Sequence, residues 1–489
     1  MANRREFLRA GAAALTVAAA KPLFGWQGAN NRIRMGVIGM GTRAARVFDS
    51  LTRNEDCEFL VGCEVNQAKL TSFQKPMGAP RPLAEKLQIV GDYRRVLDRN
   101  DIDAVLIATP DFSHAKITVD ALAAGKHVYV EKPISNSIPR INAMFEAYNK
   151  SDRVVQVGTH QRSWDHFIEA KKLLETQLDR VTHVLIQQPG AYSAMRQDPV
   201  PVPAGVDWDA WQVDAPKKPF KQGYLGFRGW WEYGSGLVGD WGAHHVDVAN
   251  WFMNADNKAP LKTSAIGFYS TPDIDPECVF NTFSIAWQFD THMVTFANSV
   301  YPRPQADIEG WGVFFYAGNG TLQVNRMGYA LRPPVQITRN KVGPEPPPGA
   351  GNVQLGTGAP PAGAPAAAGG AAPAGAGGGR GGRGRGGAAA GGAAPAGGPG
   401  GATGSGRGSG KPNVEMNVYV NPRGGVEEDY PLHVHTRNFL DCLKAKNKKT
   451  NAPMEIGYNS ALPCLLALEA MQQNRVLTWD AAARKSKPV

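Results

Sequence analysis

A glycine-containing turn between an apolar stretch and an amphipathic stretch constrains this chain more than any other feature. Residues 33–38 have the composition of a buried strand, the turn reads Gly39-Met-Gly-Thr-Arg-Ala, and residues 44–51 have helical spacing. The first glycine permits a tight turn, Gly41 lets another group approach the backbone, and Ala44 lets helix and strand pack closely. A strand, a turn and a helix in this order predict the start of a parallel α/β domain.

Alternating strand and helix patterns continue to about residue 160. Strands are predicted at residues 59–63, 103–108, 127–130 and 154–157, and helices at 113–124 and 138–149. Repeated strand–helix units build a parallel sheet with helices on both faces. Residues 31–160 are therefore predicted to form a Rossmann-type domain.

The pattern changes after residue 160, where strands follow one another without regular helices between them. These strands are predicted at residues 181–187, 262–268, 279–287, 293–299, 313–316 and 414–420. Helices are predicted near Trp241 and at residues 435–444 and 460–473. Turn residues and alternating polarity predict a second, α+β domain with a large, mostly antiparallel open sheet, formed by residues 161–342 and 413–489.

An insert rich in Gly, Ala and Pro, residues 343–412, interrupts the second domain and is predicted to be disordered. Its Arg380-Gly-Gly-Arg tract is interpreted as part of a solvated loop rather than an RNA-binding segment. The net charge of +10 is concentrated there and near the N-terminus, which leaves about +4 on the folded body, so no nucleic-acid partner is predicted. Five cysteines without a CxxC pair are predicted to be buried thiols.

The turn at Gly39 and Gly41 predicts a dinucleotide site, because a helix N-terminus offers N–H groups to phosphates. Glu64 ends the second strand, where an acid accepts hydrogen bonds from the adenosine ribose and repels a 2′-phosphate. NAD is therefore favoured, while Arg43, which could reach a phosphate, keeps NADP open. The residues predicted to contact the cofactor are Gly39, Met40, Gly41, Thr42, Arg43, Glu64, Thr109, Pro110, His114, Glu131 and Lys132.

Polar motifs follow three of the predicted parallel strands: Thr109-Pro-Asp, Glu131-Lys-Pro and Gly158-Thr-His-Gln-Arg. Ligands of open parallel sheets bind beyond the carboxyl ends of the strands. The three loops are therefore expected to meet near the nicotinamide.

Together with Gly236-Leu-Val-Gly-Asp-Trp-Gly-Ala-His-His-Val-Asp and the closing Leu477-Thr-Trp-Asp, these motifs resemble the Gfo/Idh/MocA oxidoreductases. The resemblance covers residues 32–480 apart from the insert. It implies a nucleotide-binding domain followed by an open-sheet domain that forms a homo-oligomer interface. It also implies catalytic roles for Lys132, Asp240 and His244.

The chemistry of alcohol oxidation supports these three residues. An imidazole such as His244 can take the hydroxyl proton, and Lys132 can stabilise developing alkoxide charge. Asp240 lies four residues before His244, so one helix would place both on the same face, together with Asp247. Asp240 would orient the imidazole or hold a substrate hydroxyl. A metal held by Asp240, His244 and Asp247, with His160, is the alternative, and no metal is predicted.

Aromatic and basic residues are dense between Trp208 and Trp231, a composition typical of carbohydrate sites, although most of these residues also suit a core. One of the two adjacent histidines His244 and His245 is expected to be a buried structural residue. His433 and His435 alternate as in a strand and are interpreted as structural. The residues predicted to contact the substrate are His160, Arg162, Tyr224, Arg228, His245 and Asp247.

The N-terminal residues 1–30 are predicted to be an export signal and linker. Arg4 and Arg5 precede Phe7-Leu8 and a short apolar run, as in a twin-arginine signal, and an ordinary Sec signal or a membrane anchor is the alternative. The protein is thus expected to meet the export machinery and to be periplasmic or secreted. Since free NAD is scarce outside the cytoplasm, the cofactor is expected to be tightly bound and regenerated in place.

The sequence predicts an exported NAD(P)-dependent oxidoreductase that transfers hydride between the nicotinamide and a hydroxyl of a sugar or sugar derivative. The alternative is a redox-neutral glycosidase with tightly bound NAD, such as the α-N-acetylgalactosaminidases of the same family. A binding protein without chemistry is a third reading. The retention of Lys132, Asp240 and His244 together argues against it.

Overall fold

The computed structural model describes residues 32–76, 80–298, 310–334, 412, 414–420 and 429–489. The predicted export segment, residues 1–30, lies outside these residues, as does all of the predicted insert except Pro412. Among the helices of the described ranges, none is long and apolar enough to cross a membrane.

The first sheet consists of six parallel strands, which confirms the predicted Rossmann arrangement. The strands are β1 (Ile33–Ile38), β2 (Cys57–Cys63), β3 (Gln88–Val90), β4 (Ala104–Ile107), β5 (His127–Val130) and β6 (Val155–Val157). Their order is β3-β2-β1-β4-β5-β6. Strand β3 was not predicted, because its three residues are all partly or fully exposed and give no periodic signal.

Helices connect these strands. They are α1 (Thr42–Thr52), α2 (Gln67–Gln74), α3 (Pro82–Glu85), α4 (Arg94–Leu97), α5 (Asp111–Ala123) and α6 (Ile138–Asn149). The side chain of Asn66 caps α2 by accepting hydrogen bonds from the N–H groups of Ala68 and Lys69. Helix α5 begins two residues earlier than predicted, because Pro110 is extended and Asp111 suits the first turn of a helix.

Successive residues of a strand point to opposite faces of the sheet, and the two cores of this domain follow from that rule. On β4, Val105 and Ile107 join a core that includes residues of α5 and α6. Leu106 joins a second core with residues of α1. Both faces of the sheet are therefore buried, as a parallel sheet requires.

The second sheet has ten strands. They are β7 (His183–Gln187), β8 (Lys262–Phe268), β9 (Thr282–Gln288), β10 (Met293–Ala297), β11 (Gly312–Ala317), β12 (Gly320–Asn325), β13 (Gly328–Arg332), β14 (Asn417–Val420), β15 (Leu477–Asp480) and β16 (Lys485–Pro488). Their order is β14-β13-β12-β11-β7-β10-β9-β8-β15-β16. Only β7 and β10 pair in parallel among these strands, so the predicted mostly antiparallel sheet is confirmed.

Four strands of this sheet were not predicted. Strands β12 and β13 form a tight hairpin just before the insert, and β15 and β16 are short and partly charged at the chain end. In β12, Gln323 and Asn325 are buried and donate to the carbonyl of Trp311, so their polar types hide a buried strand from the sequence pattern.

The helices of the C-terminal part are α7 (Asp165–Gln177), α8 (Trp208–Trp211), α9 (Gly236–Asp240), α10 (Gly242–Phe252), α11 (Asp429–Lys444) and α12 (Met454–Gln473). The helix predicted to begin near Trp241 is confirmed as α10, which begins at Gly242, and Trp241 separates it from the short helix α9. Asp240 ends one helix and His244 lies in the next. Trp241 itself has helical backbone angles (φ −82°, ψ −30°), so the chain stays close to helical between Asp240 and His244.

Helix α11 corrects the interpretation of His433 and His435 as part of a strand. His435 is buried and its ring nitrogens contact the carbonyl of Val157 at 3.0 Å and the hydroxyl of Ser163 at 2.9 Å. The helix packs on α1, where Thr436 and Ser50 share a hydrogen bond of 2.7 Å. Residues assigned by sequence to the second domain thus complete the core of the first.

Candidate active site

The turn after β1 is built around Gly39, whose φ of +82° lies in the left-handed region. A Cβ atom at this position would lie 2.8 Å from the backbone nitrogen of Thr109, so no other residue fits without displacing the next loop. At Gly41, no atom lies within 4 Å of the place where a Cβ would stand. The backbone at Gly41 is therefore open to a ligand phosphate at the start of α1.

A cavity of about 1150 Å³ lies between this turn and residues of the C-terminal part. Ten of the eleven residues predicted to contact the cofactor line it. They are Gly39, Gly41, Thr42, Arg43, Glu64, Thr109, Pro110, His114, Glu131 and Lys132. The eleventh, Met40, is 1% exposed, and its side chain packs towards Gly62 rather than into the cavity. The volume and the open turn suit a dinucleotide.

Glu64 lies at the end of β2 and organises the turn. Its carboxylate accepts hydrogen bonds from the N–H groups of Met40 at 2.8 Å, Val65 at 2.8 Å and Asn66 at 2.9 Å. Burial raises the pKa of Glu64, and these three donors counteract the rise. The carboxylate of Glu64 thus stabilises the turn, and Glu64 also lines the cavity. An acid at this strand end fits a ribose with free hydroxyls.

Arg43 extends away from the ribose end of the cavity. Its Nε donates to Oε1 of Glu131 at 2.8 Å, and its Nη2 lies 3.1 Å from Nδ1 of His160. The guanidinium thus contacts Glu131 in the loop after β5 and His160 in the loop after β6. These contacts do not support a reach of Arg43 to a 2′-phosphate of NADP.

His114 connects two of the predicted loops. Its ring nitrogens lie 2.7 Å from the carbonyl oxygen of Thr109 and 2.8 Å from that of Pro133. Burial lowers the pKa of His114, so the ring is neutral and donates one hydrogen bond at a time. His114 therefore fixes the distance between the loops after β4 and β5.

Asp240 is the centre of a charged cluster at one end of the cavity. Its Oδ1 accepts from Nζ of Lys132 at 2.7 Å and pairs with Nε of Arg228 at 3.2 Å, and its Oδ2 accepts from the hydroxyl of Tyr192 at 2.6 Å. Although burial opposes it, the charges of Lys132 and Arg228 hold the pKa of Asp240 well below its usual range. The three partners of Asp240 all line the cavity.

His244 lies behind this cluster and is 5% exposed. Its Nε2 is 3.0 Å from Nη2 of Arg326, and since an arginine only donates, Nε2 accepts and the proton resides on Nδ1. Nδ1 has no hydrogen-bond partner among the described residues. Burial, followed by the charge of Lys132, lowers the pKa of His244 well below 6.5, so the imidazole is neutral.

Arg162 and Asp247 were predicted to contact the substrate, and the structure places them elsewhere. Their side chains are 6% and 1% exposed and pair at 2.9 Å, and Arg162 also bonds Asp256 at 2.6 Å. Ser460 donates to Asp247 at 2.8 Å. Neither residue lines the cavity. Because the polar groups of both residues are satisfied inside the protein, this pair is a structural element that joins the segment after β6 to α10 and, through Ser460, to α12.

Two further predicted substrate residues are also turned into the core. Tyr224 is 2% exposed within an aromatic cluster, and its hydroxyl donates to Glu277 at 2.5 Å. His245 stacks on Trp241 and its Nε2 lies 2.9 Å from Oε1 of Gln188. The prediction that one of the adjacent histidines is structural therefore matches the position of His245.

The remaining predicted substrate residues lie close to the charged cluster. Arg228 pairs with Asp240 and lines the cavity. The ring of His160 lies 5.8 Å from that of His244 at nearly a right angle. His160 is buried beside Arg43 and is not part of the cavity lining.

Three residues of this region were missed by the sequence analysis. Tyr192 and Arg326 lie in loops without a motif, after β7 and in the β12–β13 hairpin. Asp111 stands in the quoted Thr109-Pro-Asp motif but received no role. Burial raises the pKa of Asp111 to about 7, and it faces the charges of Arg228, Asp240 and Lys132. Its position in the Thr109-Pro-Asp motif was the only feature of the sequence that could have indicated a role for Asp111.

The alternative of a metal site has no geometric support. In the part of the chain that the structure describes, no three His, Cys, Asp or Glu residues are grouped so that they could hold a metal ion. Asp240 and Asp247 are each engaged by cations of the protein, Lys132 and Arg162.

Two of the curated relatives are similar over limited segments. Myo-inositol 2-dehydrogenase of Thermotoga maritima is 24% identical over 171 residues, which are 35% of this chain and 47% of that protein. Glycosyl hydrolase family 109 protein 1 of Shewanella sp. (strain ANA-3) is 30% identical over 109 residues, which are 22% of this chain and 24% of that protein. The chain thus matches less than half of the length of these relatives.

Among solved structures, levoglucosan dehydrogenase in complex with NADH aligns over 94% of this chain and 99% of that chain. The TM-score is 0.55 at 14% identity. At this identity, the likeness establishes the fold.

Two family models match segments of this chain: the first covers the whole first sheet, and the second covers β8, β9 and the start of β10 of the second sheet. Residues 33–159 match the NAD-binding Rossmann fold of the GFO_IDH_MocA oxidoreductase family, and residues 191–293 match the C-terminal α/β domain of that family. The cofactor of this Rossmann domain is NAD, in agreement with the cavity around Gly39 and Glu64. In both of these segments, the chain is similar to the Gfo/Idh/MocA oxidoreductase family.

Proposed function

We propose that this protein transfers hydride between NAD and a hydroxyl-bearing carbon of a sugar or sugar derivative. The observation that carries the proposal is the position of Lys132. Its ammonium group is held by Asp240 at 2.7 Å and lines the same cavity as the Gly39–Gly41 turn. A fixed positive charge beside a dinucleotide site is what an alcohol oxidation requires at the reacting oxygen.

When bound, the nicotinamide supplies the hydride acceptor or donor, and the protein handles the proton and the charge. Lys132 stabilises negative charge on the substrate oxygen. Tyr192 and Arg228 fix the carboxylate of Asp240, so that Asp240 keeps Lys132 in place. His244 does not line the cavity, so its role as the base requires that its contact with Arg326 opens and that Nε2 turns towards the substrate hydroxyl to take the proton.

The test combines two readouts on one sample. The protein is incubated with a panel of free sugars and aryl glycosides, and nicotinamide absorbance and aglycone release are followed together. A lasting absorbance change with a free sugar and no aglycone release supports the oxidoreductase. No absorbance change with any sugar, at saturating nucleotide, contradicts it.

A redox-neutral glycosidase is the second candidate, and the 30% identity to a glycosyl hydrolase family 109 protein favours it. In that class the hydride returns to the sugar in each cycle, so NAD is not consumed. Aglycone release without net reduction of NAD in the same assay would select this candidate over the first.

We also propose that the protein is exported by the twin-arginine route to the periplasm or beyond. Arg4 and Arg5 before Phe7-Leu8 support this proposal. Replacing both arginines by lysine is expected to retain the protein in the cytoplasm of a producing bacterium. Unchanged fractionation of the Arg4→Lys/Arg5→Lys protein would exclude this route.

A homo-oligomer formed through the open sheet is part of the proposal. Ile266 and Phe268 on β8 are 67% and 58% exposed, which is unusual for large apolar residues on a sheet. Light scattering after gel filtration is expected to give a multiple of the monomer mass. Replacing both residues by lysine should reduce that mass, and a monomeric wild type would contradict the proposal.

A further inference from the structure

A segment of the C-terminal part crosses the cofactor cavity. We call residues 203–213 the strap. It is joined to the loop after β2 by an antiparallel bridge between Val206 and Asn66. Two backbone hydrogen bonds flank the bridge: the N–H of Gln67 donates to the carbonyl of Gly205 at 2.8 Å, and the N–H of Asp207 donates to the carbonyl of Val65 at 2.9 Å.

The other end of the strap is held at the loop after β4. The ring of Trp211 lies 5.4 Å from that of Phe112, the second residue of α5, and 4.9 Å from that of Tyr233. Just beyond the strap, Asp214 pairs with Arg140 at 3.5 Å, and Arg140 donates to the carbonyl of Phe112 at 2.8 Å. Aromatic burial and an ion pair therefore anchor this end.

The order of the first sheet shows what the strap crosses. In the first sheet, β1 lies between β2 and β4. The strap contacts the loop after β2 at one end and the start of α5, after β4, at the other, so it passes in front of the carboxyl end of β1. That end carries the Gly39–Gly41 turn. Ala210 and Trp211 of the strap line the same cavity as Gly39 and Gly41.

We infer that the strap forms the second wall of the cofactor site and retains the dinucleotide through turnover. A dinucleotide that lies across the turn is enclosed between the turn and the strap, and its release requires the strap to part from residues 65–67. The inference rests on the proposed function only for the identity of the ligand, a nicotinamide dinucleotide. A retained cofactor that takes up hydride must pass it on to a second substrate in place.

The test removes one hydrogen bond between the strap and residues 65–67 without disturbing helix α2. Gln67 is the first residue of α2, where proline is well tolerated, and the preceding Asn66 is already extended (φ −122°, ψ 108°). Gln67→Pro therefore deletes only the N–H that bonds Gly205 and places a ring carbon against that carbonyl. A second variant, Gly205→Ala, strains a residue whose φ is +80° and brings a methyl group 3.1 Å from Cβ of Gln67.

The matched control is Asp165→Pro. Asp165 is the exposed first residue of α7, and Trp164 before it is extended, so the same chemical change is made far from the strap in the chain. Bound nucleotide is quantified after gel filtration and acid release, and its exchange is followed with an excess of isotopically labelled NAD. Circular dichroism verifies that all three variants are folded.

The wild type and Asp165→Pro are expected to retain close to one nucleotide per chain and to exchange it slowly. Gln67→Pro and Gly205→Ala are expected to exchange it about tenfold faster, since each weakens a hydrogen-bonded anchor. Loss of nucleotide from the wild type on gel filtration, or wild-type exchange rates in both strap variants, would overturn the inference.

The two proposals fail in different ways. Slow exchange with no reduction of bound NAD by any sugar would contradict the proposed hydride transfer and support the strap. Reduction of NAD by a sugar with rapid exchange in the wild type would support the hydride transfer and overturn the strap.

Discussion

The ammonium of Lys132 and the carboxylate of Asp240 lie 2.7 Å apart and connect the two domains at the cavity. Lys132 follows β5 of the first sheet, and Asp240 ends α9 of the C-terminal part. Nζ of Lys132 also donates to the backbone carbonyl of Asp240 at 3.2 Å. The position of the Lys132 ammonium beside the cofactor site therefore depends on both domains.

Replacing Lys132 by methionine keeps the length of the side chain and removes its charge. We expect kcat to fall by about 10² to 10³, the cost of losing one group that stabilises transition-state charge. Lys116→Met is the control, because Lys116 lies on α5 in an i,i+4 pair with Asp120. Steady-state kinetics with the best sugar of the panel measures both. A Lys132→Met enzyme with more than a tenth of wild-type kcat would contradict the role.

Tyr192→Phe removes the hydroxyl that donates to Oδ2 of Asp240 at 2.6 Å. We expect kcat to fall by about tenfold, because a charge-assisted hydrogen bond is worth about 1.5 kcal/mol or more. Tyr224→Phe is the matched control: it also removes a buried hydroxyl bonded to a carboxylate, that of Glu277. Tyr224→Phe is expected to lower the melting temperature and leave KM unchanged. A raised KM in Tyr224→Phe would instead support the prediction from the sequence that Tyr224 contacts the substrate.

Asp111 makes stability depend on pH. Burial raises its pKa to about 7, against 3.8 for the ordinary group, so between these values the folded state binds more protons than the unfolded state. Its contribution to stability is therefore fully present below about pH 4 and is lost as the pH rises to about 7, by roughly 3 to 4 kcal/mol. The free energy of unfolding in urea, measured from pH 4 to 7.5, should fall less steeply in Asp111→Asn. Parallel curves for the two proteins would show that Asp111 does not titrate in this range.

The sequence was sufficient for the parts of the site that lie on strand ends. Gly39, Glu64 and Lys132 follow predictable parallel strands, and the carboxyl ends of such strands meet by geometry alone. Tyr192 and Arg326 were not predictable in this way, because their loops reach the site only through the pairing of the second sheet. Contacts between residues distant in sequence also explain why the prediction for Arg162 and Asp247 differs from the structure. Their charges suggested contact with a ligand, but the two residues pair with each other.

Gly39→Ala and Gly41→Ala are expected to separate folding from cofactor binding. A methyl group at Gly39 meets the backbone of Thr109 and requires φ of +82°, so we expect a loss of about 1 to 3 kcal/mol in stability without NAD. Gly41 has φ of −80° and open space, so alanine there should leave this stability unchanged and weaken NAD binding by filling the ligand's place. Thermal unfolding and calorimetric titration of nucleotide-free protein measure both effects. Equal destabilisation by the two variants would contradict the assignment.

The buried pair of Arg162 and Asp247 provides the last prediction, which separates a structural role from substrate contact. Asp247→Leu removes one of the two carboxylate partners of the buried Arg162 guanidinium and should cost about 3 kcal/mol, since breaking a buried ion pair by removing one partner is expensive even though Asp256 remains. The double variant Arg162→Met/Asp247→Leu removes both charges and is expected to recover much of that loss. Urea unfolding of the two single variants and the double variant gives the coupling energy. If the pair only supports the fold, the double variant retains wild-type KM. A KM raised tenfold or more in a stable double variant would instead place these residues at the substrate.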